Sequence, residues 1–107
     1  MNNKIMSDST LPVACALSDA EFREREQTIL RKLRQNALER KELADGYGFR
    51  FSFGEDLFRE ITEMIILERK CCPFLDFKIT LEAANNDILI EITGAEGAKE
   101  FIAETFK

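Results

Sequence analysis

Four stretches of the chain alternate two kinds of side chain with the period of a β-strand. Residues 13–17 place Cys15 on one face with Val13 and Leu17, and residues 49–53 carry a phenylalanine at every second position. In residues 75–81 and 88–92, apolar side chains alternate mainly with polar ones. The turn sequence at residues 85–87 separates these two runs and predicts a hairpin.

Three other stretches repeat apolar residues with helical spacing. The first follows a capping box, Ser18 with Glu21 three residues later, and is predicted to end near Leu43, before the turn at residues 45–46. The second begins after Gly54 and should stop at about Cys71, because Pro73 disfavours the helical conformation at the residue before it. The third follows residues 94–97. The apolar positions of the first predicted helix are Phe22, Ile29, Leu30, Leu33 and Ala37. Those of the second are Leu57, Phe58, Ile61, Met64, Ile65 and Leu67, and those of the third are Ala98, Phe101, Ile102 and Phe106.

The predicted element order is β-α-β-α-β-β-α, which indicates an α+β fold. We expect a disordered lead over residues 1–10 and a single domain over residues 11–107. Its sheet should be mainly antiparallel, with the helices on one face and the other face open to water or to a second subunit. The β-α-β-β-α portion is typical of a ferredoxin-like fold, and the strand at 13–17 would supply the fourth strand by a permuted route.

Composition narrows the class of protein. The 107 residues are 45% hydrophobic and 33% charged, a normal balance for one globular domain. Apolar runs such as residues 64–67 are far too short to span a membrane, and no basic segment followed by an apolar one opens the sequence. We therefore expect a cytoplasmic protein without a membrane partner.

Charge and missing residue types exclude several functions. With 15 basic against 20 acidic residues, the net charge is −5, which argues against nucleic-acid binding. The phenylalanines of residues 49–53 are therefore expected to pack in the core and not to stack on bases. The chain has no histidine, so a Cys-His pair and a His-ligated metal site are both excluded. The sequence favours a non-enzymatic protein, and no catalytic residue is predicted.

One local cluster carries candidate chemistry. Cys71 and Cys72 follow Glu68 by three and four residues, so the three side chains share a face if the helix continues. Together with Cys15 they predict a site for a soft ion such as Cu(I), trivalent arsenic or divalent mercury. No CxxC motif is present, which disfavours structural zinc. Arg69 and Lys70 would stabilise a thiolate, whereas the helix C-terminus would oppose it, and the net sign stays open.

Other interpretations of the cysteines remain open. Cysteine is often a small buried hydrophobe, although one of two neighbours at a helix end is expected to meet solvent. If the cysteines are packing residues, the chain would be an interaction or oligomerisation module. A disulfide between Cys15 and either Cys71 or Cys72 would instead make a redox switch, and a thiol-redox protein is a further alternative.

Several segments together resemble a family of small uncharacterised bacterial proteins. They are CALSDAEFREREQTIL, DGYGFRF, LERKCCPFLDFKITLE and EITGAEGAKEFI. The family carries an ERxCCPF-like motif and a late TGxEGxKEF-like motif, and the similarity covers about residues 13–103. The resemblance implies an association with mercury- or other metal-resistance genes. It also implies that Cys15, Cys71 and Cys72 act as a set, with Glu68 and Arg69 beside them.

Overall fold

Two strand hairpins form one sheet, and each follows a helix. The computed structural model describes residues 20–106. The helices are α1 (Ala20–Asn36), α2 (Glu55–Cys71) and α3 (Ala98–Phe106); the strands are β1 (Glu39–Leu43), β2 (Gly46–Ser52), β3 (Leu75–Glu82) and β4 (Asp87–Gly94). The α+β class is confirmed.

The sheet is antiparallel throughout its four described strands. Their spatial order is β1-β2-β4-β3, so β2 and β4 are central and β1 and β3 lie at the edges. Gly46 opens β2 opposite Thr93, and a Cβ atom there would overlap the carbonyl of Ile92. A glycine is therefore required where these two central strands approach each other.

The core lies between the sheet and the helices. Ile88, Ile90 and Ile92 on β4 are at most 1% exposed, as the alternating pattern predicts. Phe49 and Phe51 are also buried, and Phe49 packs 6.5 Å from the ring of Phe106 on α3. The rings of Phe49 and Phe51 cannot stack on bases, because they already fill the core.

The first helix is shorter than the sequence predicts. α1 ends at Asn36, and the segment expected to continue it to Leu43 is instead strand β1. The mostly charged ERKEL sequence does not predict a strand, because an edge strand with four exposed residues lacks apolar alternation. β1 supplies the strand beside β2. The predicted strand at 13–17, the Ser18 cap and the lead at 1–10 lie outside the described residues, and the ferredoxin-like assignment stays a prediction.

The second helix matches its predicted limits. It begins at Glu55, after Gly54 in an extended conformation, and ends at Cys71, two residues before Pro73. The Cys72 amide donates to the Glu68 carbonyl at 2.5 Å, which extends the helical hydrogen bonding by one residue. The backbone therefore holds Cys72 beside the last turn of α2.

Within residues 20–106, none of the helices is long and apolar enough to cross a membrane.

Candidate metal-binding site

The last turn of α2 brings three potential metal ligands together. One carboxylate oxygen of Glu68 and the sulfur atoms of Cys71 and Cys72 all lie within 4.8 Å of one another. This grouping follows from the spacing of three and four residues, which places the side chains on one face of a helical turn. All three residues are 0% exposed. The expectation that one of the two cysteines meets solvent is therefore wrong.

Cys72 contacts both other members of the group. Its thiol donates to Glu68 Oε1 at 3.4 Å, and its sulfur lies 3.5 Å from the sulfur of Cys71. A soft donor and a hard donor are thus adjacent in the protein interior. Such a mixed set can hold an ion through its thiolates and leave the carboxylate as an additional ligand.

A second buried carboxyl lies on the neighbouring helix. Glu26 of α1 is only 6% exposed and lies close enough to Glu68 to raise its pKa. The cross-helix ion pairs Arg25–Glu63 and Lys32–Glu60 hold α1 antiparallel to α2 at this level. The pair of helices therefore encloses two carboxyl groups beside the thiols.

The surroundings of the Glu68 carboxyl favour its neutral form. Among the described groups, Glu68 Oε2 receives no hydrogen bond from a donor, and its neighbour Glu26 is itself an acid. Burial, followed by the proximity and charge of Glu26, raises the pKa of Glu68 to about 9. Glu68 is therefore protonated near neutral pH.

The cysteine environment does not favour a thiolate. Burial raises the pKa of the Cys72 thiol above its ordinary value, and the carboxyls of Glu68 and Glu26 raise it further. Arg69 and Lys70 are exposed on the outer side of the turn. The net sign that the sequence left open is therefore upward for Cys72, because desolvation and the acidic neighbours raise its pKa. Thiol activation by Arg69 and Lys70 stays a prediction.

Cys71 is disulfide-bonded in this structure, whereas Cys72 is a free buried thiol. Cys15, the third predicted ligand, lies outside the described residues. The structure therefore brings Glu68, Cys71 and Cys72 together and leaves the place of Cys15 as a prediction.

Glu26 is not among the site residues that the sequence predicts. Its spacing contains the signal that identifies it. Glu26 precedes Ile29, Leu30 and Leu33 by three, four and seven residues, so it belongs to the buried stripe of the helix. A carboxyl on an apolar stripe indicates either a buried partner or a bound group.

Comparison with known proteins finds no matching family model, curated protein or solved structure. The function must therefore be argued from the chemistry of this cluster.

Proposed function

We propose that the reduced protein binds a soft metal or metalloid ion through Cys71, Cys72 and Glu68. The observation that carries the proposal is the convergence of the three ligand atoms within 4.8 Å of one another in the protein interior. Ordinary core packing explains two buried cysteines, but it does not explain a buried carboxyl beside them. The buried acid is what distinguishes a binding cluster from a packing cluster.

The donor set favours thiophilic ions. Two sulfur ligands select Cu(I), trivalent arsenic or divalent mercury over the hard ions Mg²⁺ and Ca²⁺, which prefer oxygen. Cys15 is proposed as a third thiolate. The resemblance to the ERxCCPF-like family agrees with this class of ligand, and we propose handling of mercury or a related toxic ion as the physiological role.

Protons occupy the cluster when no ion is bound. Both the Glu68 carboxyl and the Cys72 thiol are neutral near pH 7, since burial raises both of their pKa values. A cation would replace these protons, because metal binding to thiols and acids requires the deprotonated ligands. Binding should therefore release protons and tighten as the pH rises. Glu26 would then be the outer neighbour of the Glu68 ligand on α1.

The redox state controls whether Cys71 can act as a ligand. A sulfur atom in a disulfide carries no thiolate, so a thiol or phosphine reductant must first supply two electrons and two protons to the disulfide. A reducing cytoplasm keeps thiols in this form. We therefore place the binding-competent protein in the cytoplasm.

Native mass spectrometry of the reduced protein tests the proposal directly. The protein is titrated separately with Hg(II), As(III), Cu(I) and Zn(II), with glutathione present as a competing thiol. We expect a 1:1 adduct with at least one of the first three ions that survives glutathione. The Cys71→Ser/Cys72→Ser variant should lose it. An adduct of equal strength in that variant, or no adduct in the wild type, would overturn the proposal.

Two acid variants separate a ligand from an unrelated charge. Glu68→Gln and Glu26→Gln should each weaken binding by about 10–100-fold, the range found for groups that support a metal ligand. Glu60→Gln is the matched control, because Glu60 lies on the same helix and pairs with Lys32 away from the thiols. An equal effect of all three variants would argue against a specific role for Glu68 and Glu26.

The competing interpretations make different demands on the same residues. A thiol-redox function requires a reactive thiolate, and the raised pKa of Cys72 disfavours it. A purely structural role requires that the cysteines tolerate isosteric apolar replacement and bind no ion. The mass-spectrometric titration distinguishes this structural role from metal binding.

A further inference from the structure

Strand β3 carries apolar side chains that the helix layer leaves uncovered. Ile79 and Leu81 pair with Ile90 and Ile88, which are at most 1% exposed, so all four side chains point to the helix-covered face of the sheet. Yet Ile79 is 38% exposed and Leu81 is 52% exposed. Among the described strands, β3 has β4 as its one neighbour. An uncovered apolar edge of this kind is a template for pairing with another strand.

We propose that two copies of the protein associate through antiparallel pairing of their β3 strands, centred on Thr80. In this register, Ile79 lies opposite Leu81 of the partner subunit, and Lys78 lies opposite Glu82 of the partner subunit. The two-fold axis repeats each contact, so the pairing joins four apolar side chains and two opposite-charge pairs. It spans residues 78–82 of each copy, as long as the existing pairing of β1 with β2.

Charge selects this register over its neighbours. Centring the pairing on Ile79 would place Asp76 opposite the partner subunit's Glu82, a like-charge contact. Centring it on Lys78 would oppose two lysines. Centring it on Phe77 forms Lys78–Asp76 pairs but leaves Leu81 opposite the partner subunit's Pro73, beyond the strand. The Thr80 register alone among these covers both exposed apolar residues and adds a second acidic neighbour to Lys78. That lysine is 77% exposed and lies 3.8 Å from Glu91 of its own copy, and Glu82 pairs with Arg50 of its own copy.

The pairing would produce a continuous eight-stranded sheet. Antiparallel strands related by a two-fold axis perpendicular to the sheet keep the same face upward, so the helices of both copies lie on one side. Ile79 and Leu81 of each copy would then be covered in the seam between the two helix layers. The proposed association does not depend on the metal site. That site lies at the C-terminal end of α2 and requires no residue of β3.

Sedimentation equilibrium of the reduced, metal-free protein tests the association. We expect a monomer–dimer equilibrium. Leu81→Lys and Lys78→Glu should each weaken it at least tenfold, because one places a charge in the seam and the other creates two like-charge contacts. The matched controls are Leu38→Lys, at an exposed apolar position before β1, and Lys41→Glu, on the other edge strand. A monomer at every concentration, or a dimer that only Lys41→Glu disrupts, would overturn the proposal.

A cysteine placed on the two-fold axis gives a positive test of the register. In the Thr80→Cys variant, the new cysteine of one copy would lie opposite the same cysteine of the second copy. Opposed Cα atoms of antiparallel strands are about 4.5–5.5 Å apart, which is within disulfide range. Mild oxidation should give a covalent dimer that the wild type and Lys78→Cys do not form. Equal crosslinking of Lys78→Cys and Thr80→Cys would exclude this register. Loss of metal binding in these variants would be a separate result, since the association is measured without metal.

Discussion

The Cys72 thiol donates a hydrogen bond to Glu68 Oε1 across 3.4 Å, and both side chains are 0% exposed. A buried carboxyl normally requires a cation or several donors, and here its neighbours are a thiol and a second acid. The acid is therefore kept neutral by a proton when no ion is bound. This relationship makes the stability, the reactivity and the metal affinity of the protein depend on the same few groups.

The first prediction concerns pH. The folded-state pKa of Glu68 is raised to about 9, above its ordinary value of 4.5. The neutral carboxyl contributes fully to the free energy of unfolding below the ordinary pKa of 4.5. That contribution is lost as the pH rises through the folded-state pKa of about 9. Stability of the reduced, metal-free protein should therefore fall between pH 5 and pH 8.5, with a slope of at most about 1.4 kcal/mol per pH unit.

Urea denaturation across this pH range measures the effect, with Glu68→Gln as the test variant. The amide cannot ionise, so the variant should show a flatter pH profile and be more stable than the wild type near pH 8.5. Glu60→Gln should keep the wild-type slope. A slope unchanged by Glu68→Gln would mean that this carboxyl does not titrate in the predicted range.

The second prediction concerns thiol reactivity. Burial and a raised pKa both suppress the thiolate that alkylating reagents attack, so Cys72 should react slowly in the folded protein. At pH 8, iodoacetamide should label it at least about tenfold faster in the denatured protein. Peptide mapping by mass spectrometry identifies the labelled cysteine. Rapid labelling of folded Cys72 would revive the thiol-redox interpretation.

The third prediction links redox state to ion binding. Because Cys71 is disulfide-bonded in this structure, the oxidised protein should bind Hg(II) or As(III) at least about tenfold more weakly than the reduced protein. Titration before and after treatment with a phosphine reductant measures the difference. Cys15→Ser should also weaken binding by the reduced protein if Cys15 is the third thiolate. Equal affinity in both redox states would remove Cys71 from the ligand set.

The fourth prediction compares two glycines of β2. Gly46→Ala should destabilise the fold severely, because the new Cβ would overlap the main-chain carbonyl of Ile92, which belongs to a central strand and cannot move alone. Gly48→Ala should be tolerated, since its nearest neighbour would be 3.8 Å away. Thermal unfolding followed by circular dichroism compares the two. Similar melting temperatures would mean that β2 and β4 separate more easily than this packing indicates.

Local pattern determined the parts of the fold in which periodicity and burial agree. α2, the β3–β4 hairpin and α3 follow from apolar spacing, and Pro73 marks where α2 must stop. The spacing of Glu68, Cys71 and Cys72 was likewise enough to predict that they share one face of a helical turn. Each of these features depends on residues that are close in the chain, so one sequence contains the necessary information.

Tertiary structure decided what depends on neighbours distant in the chain. β1 exists because its backbone pairs with β2, and its charged side chains give no strand signal. Glu26 became part of the site because α1 packs against α2, and the Cys72 pKa rises because the same packing excludes water. The exposure of Ile79 and Leu81 likewise depends on where the helix layer ends. Desolvation and contacts between residues distant in the chain are properties of the assembled fold, and local spacing does not encode them.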